Sequence, residues 1–177
     1  HPRVNILQPG TGVGGHCIPI DPLFLNWKLQ ELGTESQFIS LANQINESMP
    51  QYWVKRGEQT LEKEGKSIGK SSVFVLGVAY KKDISDCRES PSLEIIKLLT
   101  ASGAEVNYHD PFIESISVDG TNYRSQEPLG SWIEKSDCVV IATNHSAYEE
   151  TNILLFAKSV VDCYSRKEFA PRKEFVC

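Results

Sequence analysis

The sequence predicts an α/β protein in which a long helical segment leads into a parallel sheet. Three observations carry this. Residues 23–66 keep apolar side chains at helical spacing. Four short apolar runs follow, and helical stretches alternate with them. Residues 1–22 are rich in Gly and Pro and read as loop, with a short strand at Val4–Leu7. Leu25, Leu29 and Leu32 share one helical face, as do Phe38, Leu41, Ala42 and Ile45. Gly33 breaks the first part, and Pro50 is expected to restart the helix as its first residue. A helical segment of this length needs a second surface to bury against, which makes it a candidate linker or dimer helix.

Past the turn at Gly65–Gly69 the periodicity changes. Val73–Val78 is continuously apolar, as a parallel strand covered on both faces must be. Ser90 and Pro91 then supply an N-cap and a first helical residue for a helix through Leu93, Ile96 and Leu99, ending near Gly103. Ala104–Asp110 is the second strand. A loop and a short helix at Leu129–Lys135 follow. Cys138–Thr143 is the third strand, 145–157 reads as helix, and Ser159–Asp162 is the fourth strand. Ligands of such sheets lie beyond the carboxyl ends of the strands. Those ends are Ala79–Arg88, His109–Pro111, Asn144–His145 and Asp162–Arg166. The organisation expected is a loop over 1–22, a helical linker over 23–68 and an α/β domain over 69–177.

Bulk properties narrow the function. The 177 residues are 40% hydrophobic and 23% charged, with a net charge of −5. That balance argues against charge-driven binding to nucleic acid but leaves room for a small anion near the local cluster Lys81, Lys82 and Arg88. No apolar run has membrane-spanning length, and no secretory segment opens the sequence. The five cysteines (17, 87, 138, 163 and 177) show no C-x-x-C spacing, so reduced thiols in a cytoplasmic setting are expected. His109 and His145 lack further ligands at metal spacing, so no metal site is expected. The sequence begins at His1, as a portion of a longer protein would.

Gly10, Gly12 and Gly15 spell G-x-G-x-x-G, a pattern that cradles dinucleotide phosphates when it follows a strand and opens a helix. Here Pro19 and Pro22 fall where that helix should run, and the acidic residue about 20 positions on is missing. The glycines instead suit a backbone that bends and lies close to a ligand. Cys17 then has two readings. In a glycine-lined turn it is an accessible thiol near backbone donors that stabilise a thiolate and an oxyanion. Otherwise it is a buried structural cysteine. Asp21 stands four residues on, where it can orient a water or an amine.

Four ordered segments carry a resemblance. "HPRVNILQPGTGVGGHCIPIDP" is similar to the catalytic-cysteine segment of nucleotide-sugar 6-dehydrogenases, the UDP-glucose and GDP-mannose dehydrogenase family. Its G-G-H-C-I-P-I-D-P form most resembles the UDP-N-acetylmannosamine and UDP-N-acetylglucosamine branch. "LANQINESMP" resembles the family's central helix, "GVAYKKDISDCRESPS" its lysine-arginine loop, and "YHDP" the end of its next strand. The resemblance spans essentially the whole chain and implies the C-terminal half of such an enzyme, with a Rossmann-like UDP-binding domain and without the NAD-binding domain.

The resemblance implies a four-electron oxidation of the C6 alcohol of a UDP-sugar to the uronic acid, for polysaccharide biosynthesis, with NAD as hydride acceptor. Cys17 would form a thiohemiacetal and then a thioester. Asp21 would position the hydrolytic water. Gly14, Tyr80 and Lys81 would contact the nucleotide-sugar, and Arg88 would reach NAD. His1 and Arg3 would reach the substrate of a partner subunit, which implies a homodimer through the central helix. Tyr164 stands where the family carries an arginine, and Arg166 would take over that role. The acid/base lysine belongs to the absent half, so the chain by itself is expected not to turn over. The alternative is a nucleotide-binding or dimerisation module without thiol chemistry.

Overall fold

The computed structural model describes residues 9–149 and 151–164. The expected strand at Val4–Leu7, together with His1, Arg3, Arg166 and Cys177, lies outside them. Helix α1 covers Asp21–Glu31 and α2 covers Gln37–Lys63. Gly33, at φ +73°, separates them, and the Ser36 hydroxyl caps α2 by accepting from the Ile39 amide.

Pro50 does not restart a helix. Helix α2 runs unbroken through it, and Pro50 is buried. Proline removes the amide that would bond the Asn46 carbonyl one turn back, a cost of about 3 kcal/mol in a helix interior. Packing of α2 against the rest of the domain outweighs that cost, with Trp53, Gly57 and Leu61 on the buried stripe.

The sheet contains β1 (Ser72–Leu76), β2 (Glu105–His109), β5 (Cys138–Ile141) and β6 (Val160–Asp162). The order is β2-β1-β5-β6, and every pairing is parallel. Side chains alternate across it. Val73 and Val75 face a core with Trp53 and Leu61 of α2 and Ile95, Ile96 and Leu99 of α3 (Pro91–Ala101). Phe74 and Leu76 face a second core with Ile133 of α4 (Leu129–Lys135) and Ile153 of α5 (Ile153–Phe156). Helices therefore cover both faces, which explains why the strands read as continuous apolar runs. Ser90 caps α3 through a bond from the Ser92 amide, with Pro91 as its first residue.

Two further expectations fail. The stretch between β2 and α4 is not simply loop. It holds an antiparallel hairpin, β3 (Ser115–Val118) and β4 (Thr121–Arg124). Asp119 and Gly120 turn it, both with positive φ, and Ile116 and Val118 point inward. Residues 145–157 are not one helix. A single 3-10 turn at Ser146–Tyr148 and the four-residue α5 replace it. His145 and Tyr148 are buried there, His145 on the Asp110 carboxylate and Tyr148 on His109.

Candidate functional site

The connections from β1 and β5 leave in opposite directions, β1 toward β2 and β5 toward β6. Their carboxyl ends thus flank a topological switch point, the crevice in which open α/β sheets bind ligands. Gly77 lets β1 turn sharply there. Its φ is +83°, and an added Cβ would lie 2.3 Å from the Thr143 carbonyl oxygen after β5. The lysine loop that follows carries Tyr80, Lys81, Lys82 and Arg88.

Asp110, at the end of β2, holds the base of that loop. Its carboxylate accepts from the amides of Val78 (2.7 Å), Ala79 (3.1 Å) and Phe112 (2.9 Å), and from His145 Nε2 (3.0 Å). Burial pushes its pKa up, but the bonds from His145, Val78 and Phe112 more than offset this and hold it below the ordinary value. Thr143 donates to the Ala79 carbonyl at 2.6 Å. At the outer end, Asp83 accepts from the Ser146 amide and hydroxyl, and Lys82 pairs with Glu149 at 2.6 Å.

The glycine loop sits on this lysine loop and on α2. The Gly15 amide donates to the Arg88 carbonyl at 3.4 Å. A Cβ on Gly14 would lie 2.5 Å from the Glu89 carbonyl oxygen and 2.7 Å from Tyr80 Cβ. A Cβ on Gly15 would lie 2.9 Å from the Tyr80 ring. On the other side the Val13 amide donates to Asn46 Oδ1 at 2.6 Å, and the Trp53 indole donates to the Gly10 carbonyl at 3.0 Å. No described strand precedes these glycines, and α1 begins six residues after Gly15. They serve close packing between backbone segments rather than a phosphate at a helix N-terminus.

Cys17 is exposed, two residues beyond the Gly15 contact, and its carbonyl accepts from the amides of Ile20 and Asp21. Asp21 is exposed and opens α1. Cys138 and Cys163 are buried, and burial pushes the Cys138 thiol up to about 12 and the Cys163 thiol well above its usual value. Cys87 is half-buried, and burial, with the Asp86 charge beside it, raises its pKa too.

Lys81 is exposed and has no ion-pair partner among the described residues. Arg88 reaches back to Asp86, Nη2 to Oδ2 at 2.6 Å. The Arg88 side chain and amide, donating to Asp86, hold that carboxyl at about 2. Tyr164 packs over Gly10, 3.1 Å from where a Cβ would stand, in the strand-end position where an arginine was expected. Burial raises its phenol, opposed by hydrogen bonds with Thr11 and Thr143. It closes the junction between the glycine loop and β5.

Sequence reasoning missed one group. Asn144 Oδ1, just beyond β5, is buried and has no hydrogen-bond partner among the described residues. Buried acceptors are seldom left open, and this one stands at the switch point. No group of potential metal ligands occurs among the described residues, and no described helix is long and apolar enough to cross a membrane.

The family model of the UDP-glucose/GDP-mannose dehydrogenase UDP-binding domain matches residues 74–166, and that of the family's central domain matches residues 1–48. The chain belongs to the UDP-glucose/GDP-mannose dehydrogenase family. It is 40% identical over 149 residues to the UDP-N-acetyl-D-mannosamine dehydrogenase of Methanococcus maripaludis, covering 84% of this chain and 32% of that protein. The enzyme of the same name from Pyrococcus horikoshii is 36% identical over 160 residues, 90% of this chain and 35% of that protein.

Solved structures of family members agree. The UDP-N-acetylmannosamine dehydrogenase of Pyrococcus horikoshii aligns with a TM-score of 0.77 and 32% identity, over 93% of this chain and 38% of that one. The Pyrobaculum islandicum UDP-glucose dehydrogenase aligns with a TM-score of 0.73 and 31% identity, over 89% of this chain and 36% of that one. These neighbours share the Rossmann-like architecture of β1, β2, β5 and β6 with flanking helices. The chain spans about a third of the length of the curated relatives it matches.

Proposed function

We propose that the chain is the cysteine-bearing, nucleotide-sugar-binding portion of an NAD-dependent UDP-sugar 6-dehydrogenase, acting on a UDP-N-acetylhexosamine of the mannosamine type. The observation that carries the reading is the seating of the glycine loop on the lysine loop. It brings an exposed thiol, Cys17, to the same end of the sheet as Tyr80 and the unpaired Lys81.

Each residue has a role that its setting permits. Lys81 supplies a point charge to the diphosphate. Gly14 and Tyr80 line the approach of the sugar, and Asn144 Oδ1 accepts from a ligand donor. Cys17 attacks an aldehyde at C6. A sulfur–carbon bond forms, and the thiol proton passes to the carbonyl oxygen. Once that carbon reaches the acyl level, Asp21 orients the water that cleaves the thioester, which releases the carboxylate and restores the thiol. Bound NAD supplies the hydride acceptor. The described residues do not form a dinucleotide site by themselves. Arg88 is the side chain assigned to it, with Nε and Nη2 already turned to Asp86. UDP binding without turnover is therefore the behaviour expected of the chain alone. His1, Arg3 and Arg166, outside the described residues, keep their proposed roles toward substrate.

The same reading includes a homodimer. Phe38, Leu41 and Ile45 form an exposed stripe on α2, with Phe38 81% exposed. With Val13, Ile18 and Leu23 they border an apolar groove of about 720 Å³ that excludes Cys17, Tyr80, Lys81 and Arg88. A second copy packed along α2 would cover it. A cytoplasmic, reducing setting keeps the Cys17 thiol free.

The test is thiol labelling with iodoacetamide, read by mass spectrometry. Cys17 should be alkylated first and protected by UDP-N-acetylmannosamine, whereas Cys138 and Cys163 stay unlabelled. Cys17 labelling no faster than that of Cys87, or indifferent to the UDP-sugar, would overturn the reading.

A further inference from the structure

His145 lies at the switch point and is fully buried. Its two ring nitrogens face opposite kinds of partner. Nδ1 meets the Asp83 backbone N–H at 2.9 Å, and Nε2 meets the Asp110 carboxylate at 3.0 Å. An amide can only donate and a carboxylate can only accept, so the imidazole is neutral with its proton on Nε2. Phe112 and Tyr148 pack against the ring, at centroid distances of 5.2 and 5.7 Å. The Asp83 carboxylate also lies 3.7 Å from Nδ1.

Asp83 is an unusual anchor. Its φ is +59°, a conformation that a non-glycine residue keeps only when its surroundings hold it there. Three bonds hold it. Its amide donates to His145, and its carboxylate accepts twice from Ser146. Only the first ties the backbone itself, two residues from Lys81. If that bond were lost, Asp83 could relax toward negative φ and carry the lysine with it.

We infer that His145 is a positioning residue. Through the Asp110–His145–Asp83 amide relay, it fixes the backbone that aims Lys81 at the diphosphate of the nucleotide. The diphosphate rests on the function proposed above; the relay rests on the geometry alone. None of the three residues is among those assigned above to the substrate. Its effect is on where the lysine stands.

Two substitutions separate the arms of the relay. In His145→Asn the amide oxygen takes the place of Nδ1 and can still accept from Asp83. In His145→Gln the longer side chain reaches the place of Nε2 and donates to Asp110, leaving the Asp83 amide unpaired. Calorimetric titration with UDP should show binding weakened about tenfold in His145→Gln and within about twofold of the original in His145→Asn. Backbone hydrogen exchange should show the Asp83 amide protected in the unsubstituted chain and in His145→Asn, and fast in His145→Gln.

Equal weakening by both substitutions, or a protected Asp83 amide in His145→Gln, overturns the inference. If the unsubstituted chain fails to bind UDP, the diphosphate reading falls, and the exchange comparison still decides the relay. Should either variant not fold, the imidazole 15N spectrum of the unsubstituted chain decides. Nδ1 unprotonated supports the relay, and Nε2 unprotonated overturns it.

Discussion

Replacing Asp110 tests whether one carboxylate organises the crevice. The side chain is wholly buried and accepts four hydrogen bonds, three from backbone amides and one from His145. Asp110→Ala strips an acceptor from four donors. Each buried donor left unpaired costs about 1–3 kcal/mol, and water entering the vacated space recovers part, so the expected loss is about 3–5 kcal/mol. Asp110→Asn keeps one oxygen for the donors at Oδ2 but turns its NH2 on the Phe112 amide, and it should cost about 1–2 kcal/mol.

Urea unfolding followed by tryptophan fluorescence measures both, since Trp53 is buried. The pH dependence supplies the sign. The folded-state pKa of Asp110 is depressed by its hydrogen bonds. Its contribution is therefore present above the unfolded value of about 4 and disappears as pH falls through the folded one. The Asn variant should show a shallower acid limb. The reasoning is wrong if Asp110→Ala costs under about 1 kcal/mol, or if Asn damages the protein as much as Ala does.

Three other outcomes follow from the geometry. Gly77→Ala should lower stability by about 3 kcal/mol or more, from strain at φ +83° together with a 2.3 Å clash on the Thr143 carbonyl, seen as a fall in Tm. Asp137 is held at about 2, first by the Lys66 ammonium it accepts from and also by the Ser72 amide. Asp137→Asn should therefore lose stability at neutral pH, and the difference from the unsubstituted chain should fade between pH 4 and 2 in urea midpoints. Leu41→Asp, on the exposed stripe of α2, should shift the chain toward monomer in sedimentation equilibrium while its circular dichroism stays that of the folded chain; an unchanged mass would remove α2 as the dimer surface.

The sequence by itself determined the elements whose signals are local. Val73–Leu76 and Cys138–Ile141 are apolar throughout because both of their faces are covered, and Ser90-Pro91 starts a helix by its own chemistry. The ordered glycine, cysteine and lysine motifs were enough to reveal the family. The Asp119-Gly120 hairpin was also legible in principle, from a turn pair between alternating residues.

Tertiary structure alone decided the rest. Pro50 stays inside α2 because packing outweighs a local penalty that sequence weighs at full value. In the 145–157 stretch a 3-10 turn and a four-residue helix form, with His145 and Tyr148 turned inward to partners far away in the chain. The glycine loop meets the lysine loop across more than sixty residues, and Asp110, His145 and Asp83 come together from three separate segments. Such meetings depend on the order in which the strands pair. Residue spacing does not encode that order, and so the chemistry was visible in the sequence while its assembly was not.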